Sequence, residues 1–153
     1  MQFQISHQQE YARGELLLRT FLGWLYILLP HAFLLFLYGI WLSILSFITW
    51  WIILFTGKTP QFYYDLVVGI TKWNLRVSSR MLNLCDGYPA FGLDGSDDKT
   101  EFHIEKTDIG RMQLLIRTFL GALLLIPHIL ILYFRFIGCL ILVFGAWFSI
   151  LFT

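Results

Sequence analysis

RTFLGWLYILLPHAFLLFLYGIWLSILSFITWWIILFT, residues Arg19–Thr56, decides the class of this protein. Past Arg19, its only ionisable side chain other than tyrosine is His31. Crossing the hydrocarbon core of a bilayer takes about 20 apolar residues, and this run holds nearly twice that many. A second run, Thr118–Thr153, is interrupted only by His128 and Arg135. The whole chain of 153 residues is 58% hydrophobic and 14% charged, with a net charge of +1. Soluble domains average roughly 45–50% apolar and about 25% charged, so the composition points to an integral membrane protein. The first run far exceeds the ~7–15 residues of a signal-peptide core, which reads as an uncleaved anchor.

The two runs share a phrase. RTFLG stands at Arg19–Gly23 and again at Arg117–Gly121, and Pro30–Thr56 aligns without a gap on Pro127–Thr153, with 12 of 27 positions identical. Leucine-rich composition alone does not set Arg, Thr, Gly, Pro, His and Trp in one order, so the pattern reads as an internal duplication. Two topologies fit. Each run is either a helical hairpin, turning near Tyr38-Gly39 and Arg135–Gly138, or a segment along the interface before the Pro-His pair followed by one long helix, from Pro to Thr, that crosses. In a single crossing Arg135 lies deep in the membrane, at a cost of at least ~2.5 kcal/mol, whereas a hairpin puts it at the tip. The hairpins also leave Arg13, Arg19, Lys58, Lys72, Arg76, Arg80, Lys99, Lys106, Arg111 and Arg117 on one side, cytoplasmic by the positive-inside bias.

The sequence-based expectation is therefore an all-α integral membrane protein with two repeated transmembrane helical hairpins, four spans in all. Residues 1–15 form a polar N-terminal segment and 16–56 the first hairpin. Residues 57–84 form an amphipathic interfacial helix, 85–110 a polar acidic loop, and 111–153 the second hairpin. Both termini are cytoplasmic, the repeats run parallel, and Pro30 and Pro127 mark kinks.

In the middle segment Leu66, Ile70, Trp73, Val77, Met81 and Leu84 recur at helical steps of three and four. Lys72, Arg76 and Arg80 recur at steps of four beside them. An apolar stripe flanked by a basic one predicts a helix in the membrane interface, with Trp73 and the three cations at the lipid headgroups. The alternative is a helix packed on the protein's own surface. Arg19 and Arg117 read as snorkelling headgroup anchors at the start of each run. The stretch Cys85–Asp108 is rich in Gly and Asp and reads as a solvated loop. Its acidic residues Asp94, Asp97, Asp98 and Glu101 lack EF-hand spacing, so no metal site is expected. The alternation of Phe102, His103, Ile104 and Glu105 reads as a short strand.

YARGELLLRTFLGWLYILLPHAF, WWIILFTGKTPQFYYDLVVGITKWNLRVSS and GYPAFGL resemble a bacterial membrane family, the domain of unknown function 4389 family. The shared features are a Pro-His pair, an ILFTG junction with a basic residue and a Pro, a helix of D..VG..+W..RV pattern, and a closing YPPF. The resemblance spans about residues 11–93, with a partial second copy at about 110–153, and Ala90 stands where the second Pro is usual. It implies a multi-pass protein of the bacterial inner membrane, and it supplies no established activity.

Candidate chemistry is sparse. His31 and His128 occupy equivalent positions in the repeat, and two imidazoles meeting across a bundle would suit haem b or a quinone. The plainer role is a bond to a neighbouring helix or to the carbonyl freed by the adjacent Pro. Neither a nucleophile elbow, a Walker loop, a zinc-protease motif nor a dinucleotide fingerprint is present, so no enzyme is expected. Cys85 and Cys139 have no partner spacing and read as reduced thiols. The near-neutral charge gives no reason to expect nucleic acid. Aromatic residues are 18% of the chain, and Gly138 and Gly145 offer a smooth helix stripe. These features suggest a small non-enzymatic accessory subunit that packs on other integral membrane subunits or on copies of itself, with anionic lipids at its surface. An oligomeric lipid- or solute-handling protein is the alternative.

Overall fold

The structure is a computed structural model that describes residues 2–5 and 11–152. Met1, residues 6–10 of the expected polar N-terminal segment, and Thr153 of the second repeat lie outside the described residues. The chain is mostly helical. Strand β1 (Gln2–Ile5) is followed by helix α1 (Arg13–Gly23), a π-helical turn (Trp24–Leu28), α2 (Leu29–Thr56), α3 (Gln61–Met81), β2 (Thr100–His103) and α4 (Arg111–Phe152). The strands form an antiparallel ribbon pairing Gln2 with His103 and Ile5 with Thr100. The alternation at Phe102–Glu105 thus marks part of a real strand, and the protein is not purely α.

Residues Arg13–Thr56 make one helical run of 44 residues, and α4 one of 42, both long and apolar enough to cross a membrane. Neither turns back. Helix α2 continues through Tyr38 and Gly39, and α4 through Arg135 and Gly138, so the two hairpins expected from sequence are replaced by two continuous helices. The reason is local. A lone glycine costs a helix only ~1 kcal/mol, too little to open a turn in an apolar run whose backbone needs its own hydrogen bonds. Tyr38 also packs edge-on against Trp73, ring centroids 5.9 Å apart, which holds that part of α2 against α3.

The first helix stops at Gly57, whose φ of 73° is the left-handed conformation that ends helices, with its N–H on the Ile53 carbonyl at 2.7 Å. The chain turns through Thr59 and Pro60, and α3 runs back along α2. After its last residue, Met81, the chain turns through Asn83, a non-glycine residue at φ 57°. Ile27, Trp73 and Val77 form the core between the helices, flanked by Tyr26, Leu34, Leu35, Tyr38, Met81 and Leu93. Residues 82–99 then fold back over α1 and α2.

Helix α4 lies antiparallel to the first helix, pinned at both ends by matching bonds. Trp50 Nε1 donates to Thr118 Oγ1 at 2.9 Å, and Trp147 Nε1 donates to Thr20 Oγ1 at 2.8 Å. Each threonine hydroxyl donates in turn to the carbonyl four residues back, Leu16 or Leu114, both at 2.8 Å. Arg111 reaches the Phe55 carbonyl at 2.5 Å. The two RTFLG segments therefore start at opposite ends of the pair, and the parallel arrangement expected from sequence is corrected to an antiparallel one. Parallel helices joined by one long connection cannot make reciprocal bonds between the beginning of one and the end of the other.

Candidate functional site

Pro30 shapes the centre of the site. It has no N–H to donate to the carbonyl of Tyr26, four residues back, and its ring crowds that carbonyl. The helix widens just before it, into the π turn Trp24–Leu28, a common accommodation next to functional positions. Tyr88 Oη donates to the Tyr26 carbonyl at 3.1 Å. The loop thus supplies a donor where proline withholds one.

His31 follows, with no exposed surface. Its Nδ1 accepts a hydrogen bond from Trp73 Nε1 at 2.7 Å. An indole N–H only donates, so a neutral His31 must carry its proton on Nε2. That Nε2 is buried without a partner. The imidazole stacks on Phe91 at 4.0 Å and 9°, with Tyr88 at 5.4 Å. Pro-His from α2, Trp73 from α3 and Tyr88-Phe91 from the loop form one aromatic box. His128 is exposed on α4 and is not among the residues around His31. The paired-histidine site for haem b or quinone is therefore not assembled: Trp73 occupies one nitrogen of His31, and Phe91 covers the ring face.

Three arginines fasten the loop over this box. Arg19, 4% exposed, donates to the Cys85 carbonyl at 2.7 Å and pairs with Asp86 at 2.5 Å. The other oxygen of Asp86 accepts the N–H of Ala12 at 2.8 Å, at the start of α1 where helix N–H groups lack intrahelical partners. Arg76 donates to the carbonyls of Gly92 and Gly95. Arg80 forks onto both oxygens of Asp97 at 2.8 Å, with both side chains nearly fully buried. Gly69 lets the loop lie this close, since a Cβ there would stand 3.0 Å from Leu93 Cβ and Leu93 would have to yield by a few tenths of an ångström.

The electrostatics follow from that burial. Burial alone would raise the Asp97 pKa, but hydrogen bonds from Arg80, Thr100 and the Lys99 N–H, with the charge of Arg80, outweigh it and hold the carboxyl below its ordinary value. Burial lowers the Arg76 pKa, Asp97 opposes that shift, and Arg80 adds to it. Burial raises the Tyr88 phenol.

Several sequence expectations change here. Arg19, Trp73, Arg76 and Arg80, expected at lipid headgroups, face the protein interior. The Trp73 indole donates to His31 and the terminal guanidinium nitrogens donate to loop carbonyls, Asp86 and Asp97, while the Nε of each arginine is buried without a partner. Of the expected headgroup contacts, Lys72 and Arg117 are exposed. The acidic loop is not simply solvated: Asp86 and Asp97 are buried in ion pairs, while Asp94, Asp98 and Glu101 are exposed. The sequence reading did not single out Asp86, took Asp97 as part of a solvated acidic loop, and gave Tyr88 and Phe91 no role beyond the GYPAFGL resemblance. The dense Asp-Gly and Tyr-Pro turns around them were the available signal. No protein-family model, curated protein or solved structure matches this chain.

Proposed function

We propose that the protein is a small, non-enzymatic subunit of the bacterial inner membrane, packing within a larger assembly of other integral subunits or copies of itself. The observation that carries this reading is α4. Of its 42 residues only Leu114 is buried. Phe119, Leu123, Leu132, Phe136 and Leu142 are all at least 50% exposed, at positions that circle the helix axis. A helix apolar on every side needs an apolar surrounding, either lipid or protein. The aromatic box and the arginine-bound loop are, in this reading, a rigid platform that presents the helices.

The antiparallel helix pair supports placing both termini on the same side, which we assign to the cytoplasm. The reading also takes the likeness to the domain of unknown function 4389 family as one of shared packing. The residues on which that likeness rests include His31, Gly69, Trp73, Arg76, Tyr88 and Phe91, and these converge in one box or against it. A second reading, lipid handling, draws on a groove of about 470 Å³ lined by Met81, Leu140, Val143 and Phe144, with Arg19 and Asn83 at its polar side.

The test is purification from native membranes at native abundance. The chain is expected to stay with the membrane after an alkaline carbonate wash and to bring down a fixed, stoichiometric set of membrane partners or copies. A monodisperse monomer without partners overturns the subunit reading, and a homo-oligomer retaining bound lipid favours the second.

A further inference from the structure

The polar layer and the apolar helices do not succeed one another along the chain axis; they lie side by side. The layer formed by α3 and residues 82–99 touches the first helix from Glu15, which accepts the Gly87 N–H, to Ser46, bonded to Tyr63 at 3.0 Å. At ~1.5 Å per residue that contact runs for about 46 Å, well beyond the ~30 Å hydrocarbon core. Within that length, the buried residues of the first helix are Leu16, Arg19, Gly23, Ile27 and His31. The opposite face exposes Phe21, Phe36, Ile40, Phe47 and Phe55.

An upright crossing is incompatible with this layout. Lys72, exposed and next to Trp73, stands level with His31, close to the middle of Arg13–Thr56. An upright first helix would carry that ammonium and the loop carboxylates Asp94 and Asp98 into hydrocarbon, where such charges are strongly disfavoured. Length argues the same way. The exposed apolar stretch from Phe21 to Phe55 is about 51 Å long, and fitting it into ~30 Å requires a tilt beyond the 0–40° range of membrane helices.

We infer that the long helices lie along one leaflet of the bilayer and do not cross it, with the α3–loop layer outside in the water. The partner is a lipid surface, and the contact is the apolar face of α1 and α2 together with α4, which, apolar on every side, lies beneath the headgroups among the acyl chains. This deepens the membrane reading above and rests on it. The geometry also relieves Arg135. In a helix lying parallel to the surface, its long side chain reaches the headgroups from a shallow position. Both termini and the whole polar layer then share one side without any turn in the helices.

The experiment measures depth. Single cysteines replace Phe21, Ile40 and Phe55 in a Cys85→Ser, Cys139→Ser background and carry nitroxide labels. A fourth sample labels native Cys139, exposed in the C-terminal half of α4 and about 6 Å along the helix from the midpoint of its apolar stretch 118–152. The full chain is reconstituted in vesicles of phosphatidylethanolamine and phosphatidylglycerol, and depth is read from oxygen against nickel-chelate accessibility. A lying molecule gives all four labels similar depths, within about 5 Å, in the outer part of one leaflet. A crossing gives label 40 a depth about 15 Å below labels 21 and 55, which then react with impermeant reagents from opposite sides, and that result overturns the inference. Cys139 in the otherwise unaltered chain decides if a variant fails to fold: a label at the bilayer centre overturns, a shallow one supports. A chain that does not associate with the vesicles refutes the membrane reading itself, a different outcome from spread depths.

Discussion

Replacing Asp86 by Asn tests whether the arginines hold the loop. The Asp86 carboxylate meets Arg19 at 2.5 Å and the Ala12 N–H at 2.8 Å, and the Arg19 and Asp86 side chains are only 3% and 6% exposed. The amide has nearly the same shape, but it leaves the guanidinium charge buried without a counter-charge. Breaking a buried pair from one side costs on the order of 3 kcal/mol or more. If that energy is spent on lifting the loop, the open population rises about a hundredfold, since ~1.4 kcal/mol is a factor of ten. The chain carries its own reporter in the neighbouring thiol of Cys85, which has no exposed surface. In a Cys139→Ser background, the alkylation rate of Cys85 measures opening once divided by the rate in the unfolded chain, which removes any change in thiol reactivity. The double variant Arg19→Met, Asp86→Leu should bring the rate back near that of the parent, because replacing both partners of a buried pair by apolar groups is close to neutral. A rate for Asp86→Asn within about threefold of the parent would refute the reasoning, since it puts the pair below ~0.7 kcal/mol.

Other consequences are open to measurement. Asp97 has a depressed pKa in the folded chain, so its contribution is complete above the unfolded value of ~3.9 and is lost as pH falls through the lower folded value; thermal melts should be flat from this source near neutrality and fall only below about pH 4. Trp73→Phe removes the donor to His31 and leaves a second imidazole nitrogen buried and unpaired, an expected loss of ~1–3 kcal/mol in denaturant titrations, whereas His128→Ala, at an exposed site, should stay within about 0.5 kcal/mol. Gly69→Ala presses a methyl group against Leu93 and should cost ~1–3 kcal/mol, with faster Cys85 alkylation; unchanged alkylation would show that the loop does not need the close approach.

The apolar runs and the middle helix are legible in the sequence because their signals are local. Steps of three and four from Leu66 to Leu84 announce α3, whose ends at Gln61 and Met81 fall inside the expected 57–84, and the alternation around His103 announces β2. The orientation of the arginines is a different matter. A cation every fourth residue fixes one helix face, but it does not say whether that face meets water, phosphate or buried carbonyls. The answer depends on Asp86, Gly92, Gly95 and Asp97, which come into place only when the loop closes. His31 and His128 make the same point from the repeat. Both follow a proline in matching phrases, yet only the first has a loop and a tryptophan-bearing helix to enclose it, so identical local sequence ends in a buried ring and an exposed one. The absence of turns at Gly39 and Gly138 was equally beyond local reading, because glycine permits a reversal without requiring it.

The paired indole–hydroxyl bonds between the long helices have a thermodynamic consequence of their own. Trp50 and Trp147 are equivalent in the duplicated phrase, and so are Thr20 and Thr118. Each phrase therefore carries both the donor and the acceptor of the same contact, so it is self-complementary in the manner of an isologous dimer interface. Two separate chains bearing one phrase each would have to find one another, and their pairing would weaken on dilution. Joining the phrases through α3 and the loop makes the encounter intramolecular, so that it no longer depends on the concentration of the chain. The contact between α4 and the first helix is thereby freed from expression level.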